Sequence, residues 1–331
     1  MRIVINRAGG PDALKAEEAR RPRVPAGHLL VENRYAAVNF IDTLIRRGAM
    51  PAGAMPDLPH VPGVEGAGVV DTIGPGVTGY SPGEVVAWMG RPGAGGYGRY
   101  SLVPPHAVAR LAATTPPAEA AGLPVNAVTA WQLLVKIGRV EPGETVLVRA
   151  AAGGVGTMLV QLAKLLGARV VAVCSKAKLP FIREQGADHA IAYDADDVGR
   201  AVMAITDDRG VDIACNPVGG ATVASDLACL APFGRLLIYG FLAGEPQGSF
   251  ASDLVPHFGK SVGLHVSDVY TLYDTRPDVF ASALAEAVGL LEAGVLRPRL
   301  HAVLPLRDAS QAHEMIESGD VAGKIVLEVG P

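Results

Sequence analysis

The chain is poor in the features that would assign it to several large classes of protein. It has only three cysteines, Cys174, Cys215 and Cys229, in 331 residues. Their number is odd and their spacing wide, so they make neither a disulfide framework nor a metal-spaced pair, and they read as reduced, buried small hydrophobes. Positive charge is not in excess: the formal net charge is −4, and without a basic face no nucleic-acid partner is expected. Although 49% of the residues are hydrophobic, there is no run of ~18 uncharged apolar residues, the length that spans a bilayer, so no membrane partner is expected. The start, Met1-Arg2-Ile3-Val4-Ile5-Asn6, lacks the basic, apolar and small-residue succession of a secretory leader and reads as a strand. These absences leave a cytoplasmic protein with enough apolar residues for two packed cores, in keeping with domains of ~100–200 residues.

The texture of what is present changes along the chain. The first third carries short apolar runs (His28–Glu32, Gly68–Ile73, Glu84–Trp88) between turn signals such as Gly74-Pro75-Gly76 and Ser81-Pro82-Gly83, the pattern of a compact β-rich domain. From Val125 to about Leu264, apolar strands alternate with segments of helical spacing. The strands are 145–148, 169–173, 190–193, 211–215 and 235–239, and the helices are 157–166, 179–185, 197–205 and 221–230. Such alternation implies an α/β, Rossmann-type doubly wound parallel sheet. The end returns to another pattern, with a helix over 279–293, a strand over 301–305, a helix over 309–317 and a strand over 324–329. The expected organisation is a dinucleotide-binding domain of residues 124–265 inserted into a domain built from 1–123 and 266–331.

The strand 145–148 runs into Ala151-Ala152-Gly153-Gly154-Val155-Gly156 and then directly into a helix. Glycines there let backbone approach a pyrophosphate, and the helix N-terminus faces its charge. The plainer reading, a tight strand–helix turn, has to compete with that context. The first glycine of G-x-G-x-x-G is Ala151, which can still make the turn if its φ is negative. NAD-specific sites place a carboxylate ~20 residues on, at the end of the second strand. Here that strand ends Val173-Cys174-Ser175-Lys176-Ala177-Lys178: a hydroxyl and two ammonium groups, suited to a 2′-phosphate and hence to NADPH. The alternative is that both lysines are surface residues at a helix start.

Several segments then resemble one family across nearly the whole chain: Ala8-Gly9-Gly10-Pro11, Val38-Asn39-Phe40-Ile41-Asp42-Thr43, Pro62-Gly63-Val64-Glu65-Gly66-Ala67-Gly68, Ala127-Val128-Thr129-Ala130-Trp131, Ala150–Gly156 and Gly323-Lys324-Ile325-Val326-Leu327. In order and spacing they resemble the medium-chain dehydrogenase/reductase superfamily, in its zinc-independent quinone oxidoreductase and enoyl reductase branch. The resemblance implies that the terminal segments form a GroES-like catalytic domain. Zinc-dependent members carry a cysteine where this chain has Asn39, a histidine where it has Val64, and a four-cysteine loop that is absent. A catalytic zinc needs three Cys, His or carboxylate ligands, so no metal is expected. His60 and His106, in Pro-rich loops, are read as solvated.

The resemblance also implies roles. Asn39 and Thr129 would lie near the nicotinamide and the hydride acceptor as the catalytic pair, with hydrogen-bonding side chains. Gly153, Gly154 and Val155 would hold the pyrophosphate, and Ser175, Lys178 and Tyr193 the 2′-phosphate. Asn216, Tyr239, Gly240, Phe241 and Lys324 would complete the cofactor site. The plainer readings are a turn residue for Asn39, a helix cap for Thr129 and a strand aromatic for Tyr193. Relatives carry informative tyrosines where this chain has Leu44 and Met50, which implies an apolar substrate pocket without the usual proton donor. Lys178 and Asp188 resemble positions proposed for proton delivery in related enoyl reductases. The expected function is zinc-independent NADPH reduction of a small-molecule hydride acceptor, a quinone or an α,β-unsaturated carbonyl, by a homodimer. One alternative is a biosynthetic enoyl reductase acting on a CoA- or carrier-linked chain, held by a basic groove of Arg46, Arg47, Arg91 and Arg99. Another is a non-catalytic NADPH-binding structural or sensor protein.

Overall fold

The computed structural model describes residues 1–50, 53–245 and 253–330. The chain divides into two compact units, one of Met1–Val128 and Leu272–Pro331, the other of Thr129–Thr271.

In the first unit, β1 (Arg2–Ile5) and β2 (Leu14–Glu17) form a small antiparallel pair. A seven-stranded sheet is built from β3 (Leu29–Ala37), β4 (Glu65–Ile73), β5 (Val85–Met89), β6 (Tyr100–Val103), β7 (Val108–Arg110), β14 (Leu300–Pro305) and β15 (Lys324–Glu328). Its path runs β14-β15-β3-β4-β5-β7, with β6 also on β3. The turns flagged by Gly76 and Gly83 are made with positive φ at those glycines, where an L side chain would be strained. Two apolar clusters pack the unit. Leu29, Val31, Val70, Val86, Trp88 and Val103 make one. Ile3, Ile5, Val38, Ile45, Ile325 and Leu327 make the other, where the N-terminal strand, the helix Phe40–Arg47 and the C-terminal strand meet. β4 is pressed unusually close to β3: a Cβ on Gly68 would stand 2.1 Å from the Glu32 carbonyl oxygen. Only glycine permits that approach, and it fixes the start of β4, where Glu65 sits.

In the second unit, six parallel strands follow: β8 (Thr145–Val148), β9 (Arg169–Cys174), β10 (His189–Ala192), β11 (Val211–Asn216), β12 (Leu230–Ile238) and β13 (Gly263–Val266). Their order is β10-β9-β8-β11-β12-β13, the 3-2-1-4-5-6 arrangement of a doubly wound dinucleotide fold. The core is Leu147, Val171, Ile191, Val202, Leu227 and Leu236, among others. The sheet expected from the alternation is therefore present, with a sixth strand that periodicity did not reveal. β13 is an edge strand of four residues with His265 and Val266 exposed, too short and too polar to stand out. The helix Pro124–Trp131 continues as a π-helix, Gln132–Ile137, an unusual geometry that tends to occur near functional sites.

Candidate functional site

The glycine turn is locally specified. Val148 is the last residue of β8, and backbone bonds from Arg149 N to Cys215 O and from Ala151 N to Val173 O, both 3.0 Å, lock the start of the turn against the neighbouring strands. The positive φ needed to reverse the chain falls on Ala150 (φ 49°), one residue before the position expected to make the turn. A methyl-bearing residue in this region carries a cost of roughly 1–2 kcal/mol. The helix Gly154–Leu165 then begins with Gly153 as its N-cap and no side-chain cap. The first N–H groups of a helix have no intrahelical acceptor, and the first turn contains no acidic residue. Gly156 has a packing reason: a Cβ there would lie 2.4 Å from Ala150 O and 2.7 Å from the Ala151 Cα. The Gly153 N–H is taken up within the turn by Ala150 O (3.0 Å), so it is Gly154 and Val155 that present backbone amides at a bare, partly exposed helix end, an arrangement suited to a phosphate.

The end of β9 is also as the sequence suggested. Ser175 caps a single 3-10 turn, Lys176–Lys178, and Lys178 N donates to Ser175 O at 2.9 Å. The charge of Lys178 reaches the Cys174 thiol, where it opposes the upward push that burial gives that group. Tyr193, 59% exposed, follows β10 and bonds its N–H to Cys174 O. Asp194 also reaches this turn, with its carboxylate on the Lys176 N–H (2.8 Å).

Asn216 is different. Its Nδ2 donates to Thr222 Oγ1 (2.9 Å) and Asp226 Oδ2 (2.6 Å), and its Oδ1 accepts from Val218 N (2.7 Å) and Gly219 N (3.0 Å). Both donors and both lone pairs of the amide are used, so its side chain shapes the turn after β11 and has nothing left for a ligand. Asp226, in turn, is paired with the buried Arg149 at 2.7 Å. Tyr239 and Gly240 follow β12 half-buried, and Phe241 is 47% exposed. Burial raises the Tyr239 phenol well above its usual range, so it stays neutral.

In the first unit a second cluster is assembled from side chains. Asn39 is the N-cap of the helix Phe40–Arg47, and its backbone N–H is held by Asp42 Oδ2 at 2.9 Å. Its amide lies between opposite charges: Nδ2 donates to Glu65 Oε1 (2.9 Å), and Oδ1 accepts from Lys324 Nζ (2.6 Å). Lys324 and Glu65 pair directly at 2.7 Å, with side chains 6% and 0% exposed. The other Glu65 oxygen accepts the Val125 N–H (2.8 Å), near the start of the helix Pro124–Trp131, and Thr129 lies one turn further along that helix. The structure therefore brings Asn39, Lys324 and Glu65 together within the first unit, while Thr129 belongs to the second. Thr129 is in the interior of the helix, not at its cap as the plainer reading had it. Sequence reasoning missed Glu65, whose signal was a carboxylate inside an otherwise apolar, glycine-rich strand. Asp42 lies beneath, fully buried. Burial pushes its carboxyl up to about 6, against the Asn39 and Gly63 N–H groups and the charge of Lys324. Tyr97 joins Asp42 to His313, with its hydroxyl 3.1 Å from His313 Nε2.

Other expectations are corrected. Asp188 is not poised to give up a proton: burial alone would raise it, but its bonds to Lys164 and the Val170 N–H hold it below the usual carboxylate range. The four arginines do not make a free basic groove. Arg46 is buried against Glu317 (2.5 Å), which Arg47 also approaches, while Arg91 pairs with Asp274 and Arg99 with Glu32. His60 is 4% exposed instead of solvated, and His106 packs edge-on against Tyr273 and Phe280. Leu44 is half-buried, and Met50 packs against the core that contains Ile45. The three cysteines are buried and unpaired, and burial pushes Cys215 to about 12 and Cys229 to about 11, so both are inert thiols. Among the described residues no three His, Cys, Asp or Glu side chains are grouped to hold a metal ion.

Residues 25–113 match the alcohol dehydrogenase GroES-like domain family, and residues 154–285 match the zinc-binding dehydrogenase family. The chain is 32% identical to a 2-haloacrylate reductase of Burkholderia sp. over 99% of its own length and 98% of the relative's. It is also 32% identical to a quinone oxidoreductase of Pseudomonas aeruginosa, over 98% of both. The crystal structure of Escherichia coli quinone oxidoreductase complexed with NADPH superposes with a TM-score of 0.90 at 30% identity, covering 99% of both chains.

Proposed function

Since the chain belongs to the medium-chain dehydrogenase/reductase superfamily, in the quinone oxidoreductase branch, we propose that it is a zinc-independent, NADPH-dependent reductase of a quinone or of an α,β-unsaturated carbonyl. The observation that carries this reading is the bare helix N-terminus at Gly153–Gly156, on a sheet of dinucleotide order, beside a second-strand end whose own side chains are Ser175, Lys176 and Lys178. When bound, NADPH supplies a hydride from its nicotinamide ring. The backbone amides of Gly154 and Val155 hold the pyrophosphate, with Gly153, the N-cap, leaving room for its approach. Ser175 and Lys178 hold the 2′-phosphate through charge-assisted hydrogen bonds, with Tyr193 alongside. Asn39 and Thr129 orient the reacting groups, and Tyr239, Gly240 and Phe241 line the carboxyl end of the sheet, where ligands of open α/β folds bind. Asn39 stands where zinc-dependent relatives carry a cysteine, and here its amide is held by an ammonium and a carboxylate.

Two further features belong to the same reading. The outer edge of β13, with Val266 66% exposed, is the surface through which two copies pair as a homodimer. The protein works in the cytoplasm, where three reduced thiols are at home. No helix among the described residues is long and apolar enough to cross a membrane. With the four arginines each paired to a carboxylate, no observation favours a CoA- or carrier-bound substrate, and none favours a scaffold role without catalysis.

The test is NADPH consumption against a panel of quinones, enones and 2-substituted acrylates, before and after dialysis against a chelator. Turnover of at least one class, unchanged by the chelator, is expected. Tight NADPH binding with no consumption on any acceptor would falsify the proposal.

A further inference from the structure

An ammonium group is seldom taken out of water unless its charge is used or closely paired. That of Lys324 is buried with one carboxylate: its Nζ donates to Asn39 Oδ1 at 2.6 Å and lies 2.7 Å from Glu65 Oε1 in an ion pair. Among the described residues no other group accepts from Lys324 Nζ. Glu65 cannot follow the lysine elsewhere, because its oxygens are also held by Asn39 Nδ2 and the Val125 N–H. The other buried acid nearby, Asp42, has one oxygen on Asn39 N and the other on Gly63 N, both at 2.9 Å. The result is a fixed ammonium, paired with one carboxylate in a low-dielectric setting, with donor capacity to spare, adjoining Asn39.

Resting on the reading above, in which Asn39 and Thr129 border the hydride acceptor, we propose that Lys324 is a catalytic oxyanion-stabilising group and Glu65 its positioning residue. A spare N–H of Lys324 binds the acceptor's carbonyl oxygen. As the hydride's electron pair forms a C–H bond at the β-carbon of an enone, the C=C pair shifts toward the carbonyl carbon and the C=O pair moves onto oxygen. The acceptor is reduced and NADPH is oxidised to NADP+. The ammonium faces the enolate oxygen as its charge develops, and water then protonates the enolate, leaving hydroxide. A quinone reduced to its hydroquinone anion places the same charge on the same oxygen. Preorganised donors of this type are worth roughly 10²–10³ in rate.

The experiment uses the full chain saturated with NADP+ and the probe 4-nitrophenol, whose ionised form is yellow. The wild-type protein is expected to lower the pH at which the bound probe ionises. Lys324→Met should abolish that shift. So should the double variant Glu65→Gln/Lys324→Met, which leaves no buried unpaired charge and guards against a folding failure. In both variants kcat should fall by roughly 10²–10³, well beyond any loss of NADPH affinity from a residue of the cofactor set. If the wild type does not shift the probe, if the double variant shifts it equally, or if NADPH affinity falls in step with kcat, the proposal is overturned. A wild type that binds NADPH and reduces no acceptor refutes the reductase reading, whereas the colour titration bears on the anion site alone.

Discussion

The turn at 150–156 and the cluster around Lys324 offer polarity in opposite ways. The turn uses backbone: seven consecutive residues without a charged side chain, ending on exposed amides. The cluster uses side chains, and two of its members, Asn39 and Lys324, are 285 residues apart in sequence. The two therefore fail differently. Backbone sites fail by steric intrusion, since only the shape of the chain matters. Clusters of buried charge fail by loss of a partner, because an uncompensated ion remains in a medium that cannot solvate it.

The sharpest break in this symmetry is Glu65→Ala. It strands the Lys324 ammonium and should cost about 3–5 kcal/mol of folding stability, read by urea unfolding. Replacing both partners by neutral groups, as in Glu65→Gln/Lys324→Met, should recover much of that loss. A single variant as stable as the wild type would show that the pair is not buried in solution. In the second unit, Lys178→Ala should weaken NADPH by about 1.5–3 kcal/mol, the worth of a hydrogen bond to a charged group, and leave NADH nearly unchanged. The check is the ratio of the two dissociation constants, and an unchanged ratio removes Lys178 from the 2′-phosphate site.

The next test sets two neighbours against each other. Asp42 rises on folding from 3.8 to about 6. Its folded form holds a proton more tightly, so its contribution to stability is present below pH 3.8 and is lost as pH rises through 6. His313 falls from 6.5 to about 3, through burial and then the charge of Arg46. Its contribution is present above pH 6.5 and is lost as pH falls toward 3. Between pH 4 and 6 the two slopes oppose. Asp42→Asn should make stability rise more steeply with pH in that window, and His313→Gln should make it fall, by denaturant midpoints at stepped pH. Parallel changes in both variants would refute the assignment. The smallest effect is Ala150→Gly, which relieves the positive φ and should stabilise by about 0.5–1 kcal/mol after the extra chain entropy of glycine, seen as a raised Tm.

The same contrast explains what could be read from the sequence. Strand–helix alternation repeats over many residues, so the doubly wound sheet was legible, and each expected strand of 145–239 formed within a few residues of its place. β13 was not, because an edge strand of four residues with two exposed positions leaves no periodic trace. The Gly153–Gly156 turn was legible because its residues are contiguous, and Ala151 has the non-positive φ that the turn required of it, but the positive φ at Ala150 was not foreseen. Asn39 and Lys324 entered through resemblance, but their contact did not, and Glu65 entered only as part of a resembling segment, with no role. Nothing in a linear sequence states that a carboxylate in β4 meets an ammonium in β15. Asn216 shows the converse: a polar residue at a strand end, where ligands bind, whose hydrogen-bonding capacity is consumed by its own turn.

The position of β15 has a bearing on how the protein is made. It lies inside its sheet, between β14 and β3, yet the ribosome delivers it long after β3 has emerged. Until then, the Tyr35–Ala37 end of β3, beyond its pairing with β6, is an open stretch of strand edge of the kind that recruits foreign chains. The inserted unit is complete by Thr271 and can fold while the sheet around Glu65 still waits for Lys324. A nascent chain can thus grip its cofactor before it owns the cation beside Asn39.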